Sequence, residues 1–184
     1  MALRAAVIFS TTCFLLGALF THWIADSLTL WKSGPVTDEN LWTAALYYSI
    51  LARAPSFVFF FLGTVVLVGG LSILSNLRDG AAGNLMFDGG SILLFGSTVA
   101  HYLYSVIPIM LSQFTALSTK KFETPFPNSL RTATLDLAST HLMCSVALTG
   151  VLVLQAAHVW ADRSDAEAAA AELRRDADKQ SASD

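Results

Sequence analysis

The chain has 184 residues, of which 54% are hydrophobic and 14% charged, with a net charge of −3 and a mean hydropathy of +0.55. A soluble protein of this length needs charged surface on every helix, so the composition excludes an ordinary water-soluble domain. No basic patch interleaved with aromatics is present, which argues against nucleic acid as a partner.

Charges divide the sequence into four uncharged runs, residues 5–25, 54–77, 89–119 and 137–161, of 21, 24, 31 and 25 residues. The second run alone would extend about 36 Å as a helix, enough to cross a hydrocarbon core of about 30 Å. The fold class expected is an all-α membrane protein, a bundle of four transmembrane helices. Its spans fall at about residues 5–25, 55–76, 90–113 and 130–160 within one membrane domain, 1–160, followed by a polar tail, 161–184.

The first run follows Arg4 and could open a secretory signal, but it is long and exits as FTHWIADS with no small-residue cleavage site. A retained first span is therefore expected. Ser10, Cys13, Gly17 and Thr21 recur along it at spacings of three and four, a small, weakly polar stripe of the kind that lets membrane helices approach closely. Cys13 and Cys144 both fall inside spans, form no CxxC, and read as packing residues. His22 and Asp26 stand four apart beside Trp23 at the helix exit. Two ligands at a wet helix end do not make a metal site, so interfacial anchoring and a local hydrogen bond are expected there.

In the first loop Gly34-Pro35 breaks the chain, and Thr37 caps a new helix with Asp38 and Glu39 in its first turn. Leu41, Trp42, Ala45, Leu46 and Tyr48 share one side of it, which predicts a short amphipathic helix lying on the membrane surface. Pro55 starts the second span, where Ser56, Gly63 and Gly70 recur every seven residues. The Gly-rich connection RDGAAGNLMFD predicts a tight antiparallel hairpin into the third span. Along that span Ser97, His101 and Ser105 stack at i, i+4, i+8, and Pro108 should kink the helix near its far end.

On the fourth span Asp136 sits about two turns in, and His141, Ser145 and Thr149 form a second i, i+4, i+8 stripe. A carboxylate at membrane depth costs a few kcal/mol unless it meets water or a partner, and Arg131 or a residue of the first loop is the partner expected. After Trp160 the composition changes. Residues 161–184 hold seven acids and four bases, with Ser164 and Glu167 matching a capping box, which predicts a polar helix fraying into the SASD end. An even number of spans puts both termini on one side. That side collects six basic residues against five on the other, too small a bias to orient the protein.

Several strings together carry a resemblance: FLLGALFTHWIADSLTLW, VTDENLWTAALYYS, AGNLMFDGGS, and LDLAS followed by CSVALTGVLVLQA. In this order, and fitted to four spans over about residues 1–160, they resemble the fungal ER-membrane chaperones that package amino acid permeases. The resemblance implies a multi-pass ER membrane protein with cytosolic termini and no enzymatic activity or cofactor. It implies that amino acid permeases are kept from aggregating as they fold, and that the tail aids loading into COPII vesicles. The stripes above, with Asp136, then become candidates for contact with clients or within the bundle. Two other classes compete on the residues alone. His101 and His141 at matched depth would suit axial ligation of a haem in a membrane redox protein, and Asp136 would suit a small transporter or channel subunit. No inverted repeat and no convergent set of acids, bases and nucleophiles supports a transporter or an enzyme.

Overall fold

The computed structural model describes residues 2–31, 34–77, 82–117 and 125–181. Parts of the connection between spans two and three, the third-loop residues Lys120 and Lys121, and the final three residues lie outside them. Among the described residues every element is helical, and four helices are long and apolar enough to cross a membrane.

Helix α1 covers Ala2–Asp26, α2 covers Asp38–Ala52 and α3 covers Ser56–Leu77. The third span starts as α4, Ala82–His101. It then widens into a π turn, Tyr102–Val106, tightens to the single turn α5, Ile107–Ile109, and widens again over Met110–Phe114. Pro108 lies in α5, so the expected disturbance takes the form of π turns on both sides, which absorb the missing N–H and the ring clash. Helix α6, Asn128–Ser181, is unbroken from the third loop through the fourth span and into the tail.

The spans form a ring in which α1 packs on α3 and α6, and α4 packs on the same two. Packing follows a 3/4 alternation. On α6 the inward residues are Leu137, Cys144, Leu148 and Val151, with His141, Gln155 and His158 at the intervening positions. That 3.5-residue period is the signature of a left-handed bundle. Ile8, Leu19, Ile73 and Phe95 complete this apolar core. Helix α3 is the least covered span, with no buried residue between positions 56 and 68.

A second core lies at the end of the bundle away from the termini. Leu41, Trp42, Ala45 and Tyr48 of α2 pack against Met110 and Phe114 of the third span and against Phe126, Leu130 and Leu137. The apolar side expected of this helix is therefore present, but protein covers it, so α2 caps the bundle. Thr37 caps α2, its side chain accepting from the Asn40 N–H at 3.4 Å. Gly34, at φ +116°, makes the turn that brings the chain back over the bundle. The Asp38 carboxylate accepts from the Phe126 N–H at 3.1 Å and pairs with Arg131 at 3.5 Å, which ties the cap to the start of α6. Arg53 donates to the carbonyls of Thr115 and Leu117 where the third span ends.

Candidate functional site

Two layers of buried polar side chains close the apolar core, one at each end. At the α2 end the layer is centred on Asp26, which is 5% exposed. Tyr48 donates its hydroxyl proton to this carboxylate, and His141 Nδ1 lies 3.3 Å from it. The His22 ring stacks on His141 at 4.4 Å with an interplanar angle of 20°. His22 Nδ1 is 3.2 Å from the Tyr47 hydroxyl, which itself donates to the Thr21 carbonyl, and Tyr102 lies 3.5 Å from His22 Nε2. This pattern is satisfied when His22 carries its proton on Nδ1 and accepts from Tyr102 at Nε2. Burial pushes the Tyr48 phenol well above its ordinary value, and the charge and hydrogen bond of Asp26 push it the same way. His22 and Asp26 thus face partners on α2, on the first π turn of the third span and on α6, where the sequence suggested only local roles.

At the other end Asp88 is fully buried. Gln155 Nε2 donates to Asp88 Oδ1 at 2.8 Å and to Ser91 Oγ at 3.0 Å, while His158 bridges Asp88 at 3.4 Å and Asp162 at 3.6 Å. The Phe87 ring stacks on His158. These two layers are about 26 Å apart, since 17 residues of α6 separate His141 from His158 at about 1.5 Å each. That matches the edges of a hydrocarbon layer of about 30 Å. Exposed Trp23, Trp31 and Tyr104 sit around the first layer, and exposed Trp160 marks the second.

The candidates named from the sequence separate on this frame. His141 is buried, whereas Ser97, His101, Ser105 and Ser145 are half-buried and Asp136 and Thr149 are exposed. The physical reason is rotational drift. Each four-residue step turns a helix about 40° past a full circle, so two steps carry Thr149 about 80° away from the face His141 occupies. His101 turns its Nδ1 to the Ser97 carbonyl at 2.8 Å while His141 faces Asp26, so the two rings do not converge on a common ligand space.

Asp136 departs most from expectation. It lies five residues beyond His141, about 7.5 Å further toward the α2 end, so the two turns of helix before it belong to the cap and not to the hydrocarbon. Arg131, its expected partner, is engaged with Asp38. The carboxylates that need compensation at the membrane edges are Asp26 and Asp88. The signal available for them was the placement of Asp88, Gln155 and His158 at the margins of apolar runs, at spacings that keep to the inward 3/4 face.

The outer surface differs from the interior in kind. The α1 stripe of Ser10, Cys13, Gly17 and Thr21 is exposed throughout, and a Cβ added at Gly17 would meet no atom within 4 Å. An apolar groove of about 290 Å³ opens between α3 and α4, with Leu67, Gly70, Phe95 and Gly96 among its walls. Among the described residues, no group of three or more His, Cys, Asp or Glu side chains is arranged to hold a metal ion.

The family described as ER membrane protein SH3, the SHR3 chaperones, matches residues 1–184. The chain is also similar to the secretory component protein psh3 of Schizosaccharomyces pombe, with 29% identity over 163 residues, which is 87% of this chain and 70% of that protein. No solved structure matches. The family match runs the whole length of this bundle, so the protein is an ER membrane protein of chaperone type and the chain belongs to the SHR3 chaperone family.

Proposed function

We propose that the chain shields the membrane helices of amino acid permeases while they fold in the ER, and promotes their packaging into COPII vesicles. Both termini face the cytosol in this reading, and the α2 cap faces the lumen. The observation that carries it is the family match along the whole chain. The surface supports it physically. Small residues on the outer face of α1 allow a client helix to approach closely in lipid. Such contacts are weak enough to release a folded client, and the carboxylates of Asp26 and Asp88 are kept inside the bundle. Asp136, Thr149 and the half-buried Ser97, His101, Ser105 and Ser145 are the client-contact candidates, and His141 holds the bundle together.

Deleting the gene and locating the permeases tests the reading. They should accumulate in the ER as detergent-resistant aggregates while unrelated membrane proteins reach the surface. Normal permease delivery in the deletion strain would refute the proposal.

A further inference from the structure

The exposed face of α6 around Asp136 has a chemistry of its own. No cation or donor among the described residues reaches the Asp136 carboxylate, and Arg131 is held by Asp38. The hydroxyls around it spend their protons on their own helix. Thr132 donates to the backbone carbonyl of Asn128 at 3.2 Å, Ser139 to that of Leu135 at 2.8 Å and Thr140 to that of Asp136 at 2.8 Å. What remains on this face is acceptors only, with one full negative charge among them.

The face is also continuous. Thr132, Asp136, Ser139, Met143 and Val146 are all exposed and follow one another at steps of four, three, four and three. That is the spacing at which a second helix can lie alongside over several turns. The strip begins at the level of the cap, outside the hydrocarbon, and passes into it at Met143, which is 56% exposed, and Val146, which is 66% exposed.

We infer that this strip of α6 docks a membrane-spanning helix that carries a lysine or arginine near its lumenal end, with Asp136 as the counter-charge. The inference rests on the chaperone reading and names the client chemistry for one of its surfaces. Lysine and arginine at the ends of spanning helices extend their heads to the headgroup level, which is where Asp136 stands. A zwitterionic lipid also brings an amine, but beside a phosphate, and an acceptor-only strip offers that phosphate nothing. A basic helix end matches charge and shape together.

The test uses the full chain in phosphatidylcholine nanodiscs. The probe is a synthetic leucine-alanine membrane helix with a photo-crosslinker beside one residue near its end, either lysine, norleucine or glutamate. The lysine probe should crosslink to α6 at least about threefold more than the norleucine probe, as expected of one partly exposed ion pair. Asp136→Asn should abolish that preference while leaving thermal unfolding unchanged, because the side chain is exposed. Asp136→Lys should transfer the preference to the glutamate probe. Equal labelling by lysine and norleucine probes, or no transfer in Asp136→Lys, overturns the inference. Loss of the lysine preference on adding phosphatidylethanolamine also overturns it, and assigns the strip to a lipid amine. Permease aggregation in the deletion strain is scored separately, so failure here leaves the chaperone reading standing, and failure there removes its premise.

Discussion

Tyr48 and His141 reach the carboxylate of Asp26 from two different helices. Asp26→Leu would strand both donors in a buried site, at about 1–3 kcal/mol for each. Asp26→Asn keeps an acceptor and should cost less. Protein abundance and thermal aggregation in detergent should rank wild type above Asn above Leu, and equal values for the two variants would show that the layer is not held by this residue. The raised Tyr48 phenol makes a second expectation with a definite sign. The folded state keeps this proton while the unfolded chain loses it above its ordinary value of 10.0. Stability from Tyr48 is therefore fully present below about pH 10 and is lost as pH rises beyond it. Denaturant midpoints measured between pH 9 and 11 should fall more steeply for wild type than for Tyr48→Phe. Parallel slopes would count against a buried, protonated Tyr48. Neither role was readable from the spacing of His22 and Asp26, because their partners Tyr47, Tyr48, Tyr102 and His141 come from 22 to 115 residues further along the chain.

At the scale of the helix, close approach and open space are both found at glycine. A Cβ at Gly69 would lie 3.0 Å from Thr11 Oγ1 and 3.2 Å from Phe95 Cζ, so α1, α3 and the Phe95 ring meet there without room for a side chain. Gly69→Leu should force α3 away, at about 1–3 kcal/mol for overpacking. Gly17→Ala and Gly96→Ala meet nothing within 4 Å and should be neutral or slightly stabilising through helix propensity. Thermal aggregation temperatures of the three variants check the contrast, and a Gly69→Leu protein as stable as Gly17→Ala would mean that α3 is not seated at this point. The four spans were legible because uncharged length is a strong signal in lipid. The faces were less so. Stripes spaced every four residues looked continuous in the sequence, yet the bundle keeps to a period of 3.5, and the drift moved Thr149 outside while Gln155 and His158 came inside. Helix α2 was legible from Thr37 and its acidic first turn, but an apolar side facing lipid and one facing protein look the same in sequence.

Over the whole molecule the spacing of the two polar layers fits the two edges of a hydrocarbon layer, and the proposed orientation assigns its sides. Glycosylation acceptors inserted near Gly34 and near Lys120 should be modified, and one at the Asp184 end should not. Modification at the tail alone would reverse the orientation. Tail residues 163–175 are exposed, Leu173 by 73%. Removing residues 163–184 should therefore leave the bundle's thermal unfolding unchanged and permeases unaggregated in the ER, with export slowed. Permease aggregation in the truncated strain would show that the tail takes part in folding. A change in composition at Trp160 was visible in the sequence, whereas the absence of any helix break there was not. Ser164 and Glu167 suggested a fresh start where α6 simply continues.

That continuity makes the fourth span and the tail a single stiff shaft. About 21 residues of α6 lie beyond Trp160, extending roughly 30 Å past the membrane edge. No loop, glycine or proline interrupts the helix after Gly150 to absorb a twist. A few degrees of rotation or a small axial slip of the fourth span would be delivered undiminished to the acidic and basic side chains at its tip. Occupancy of the membrane face would then be read out beyond the membrane mechanically, by where that tip points.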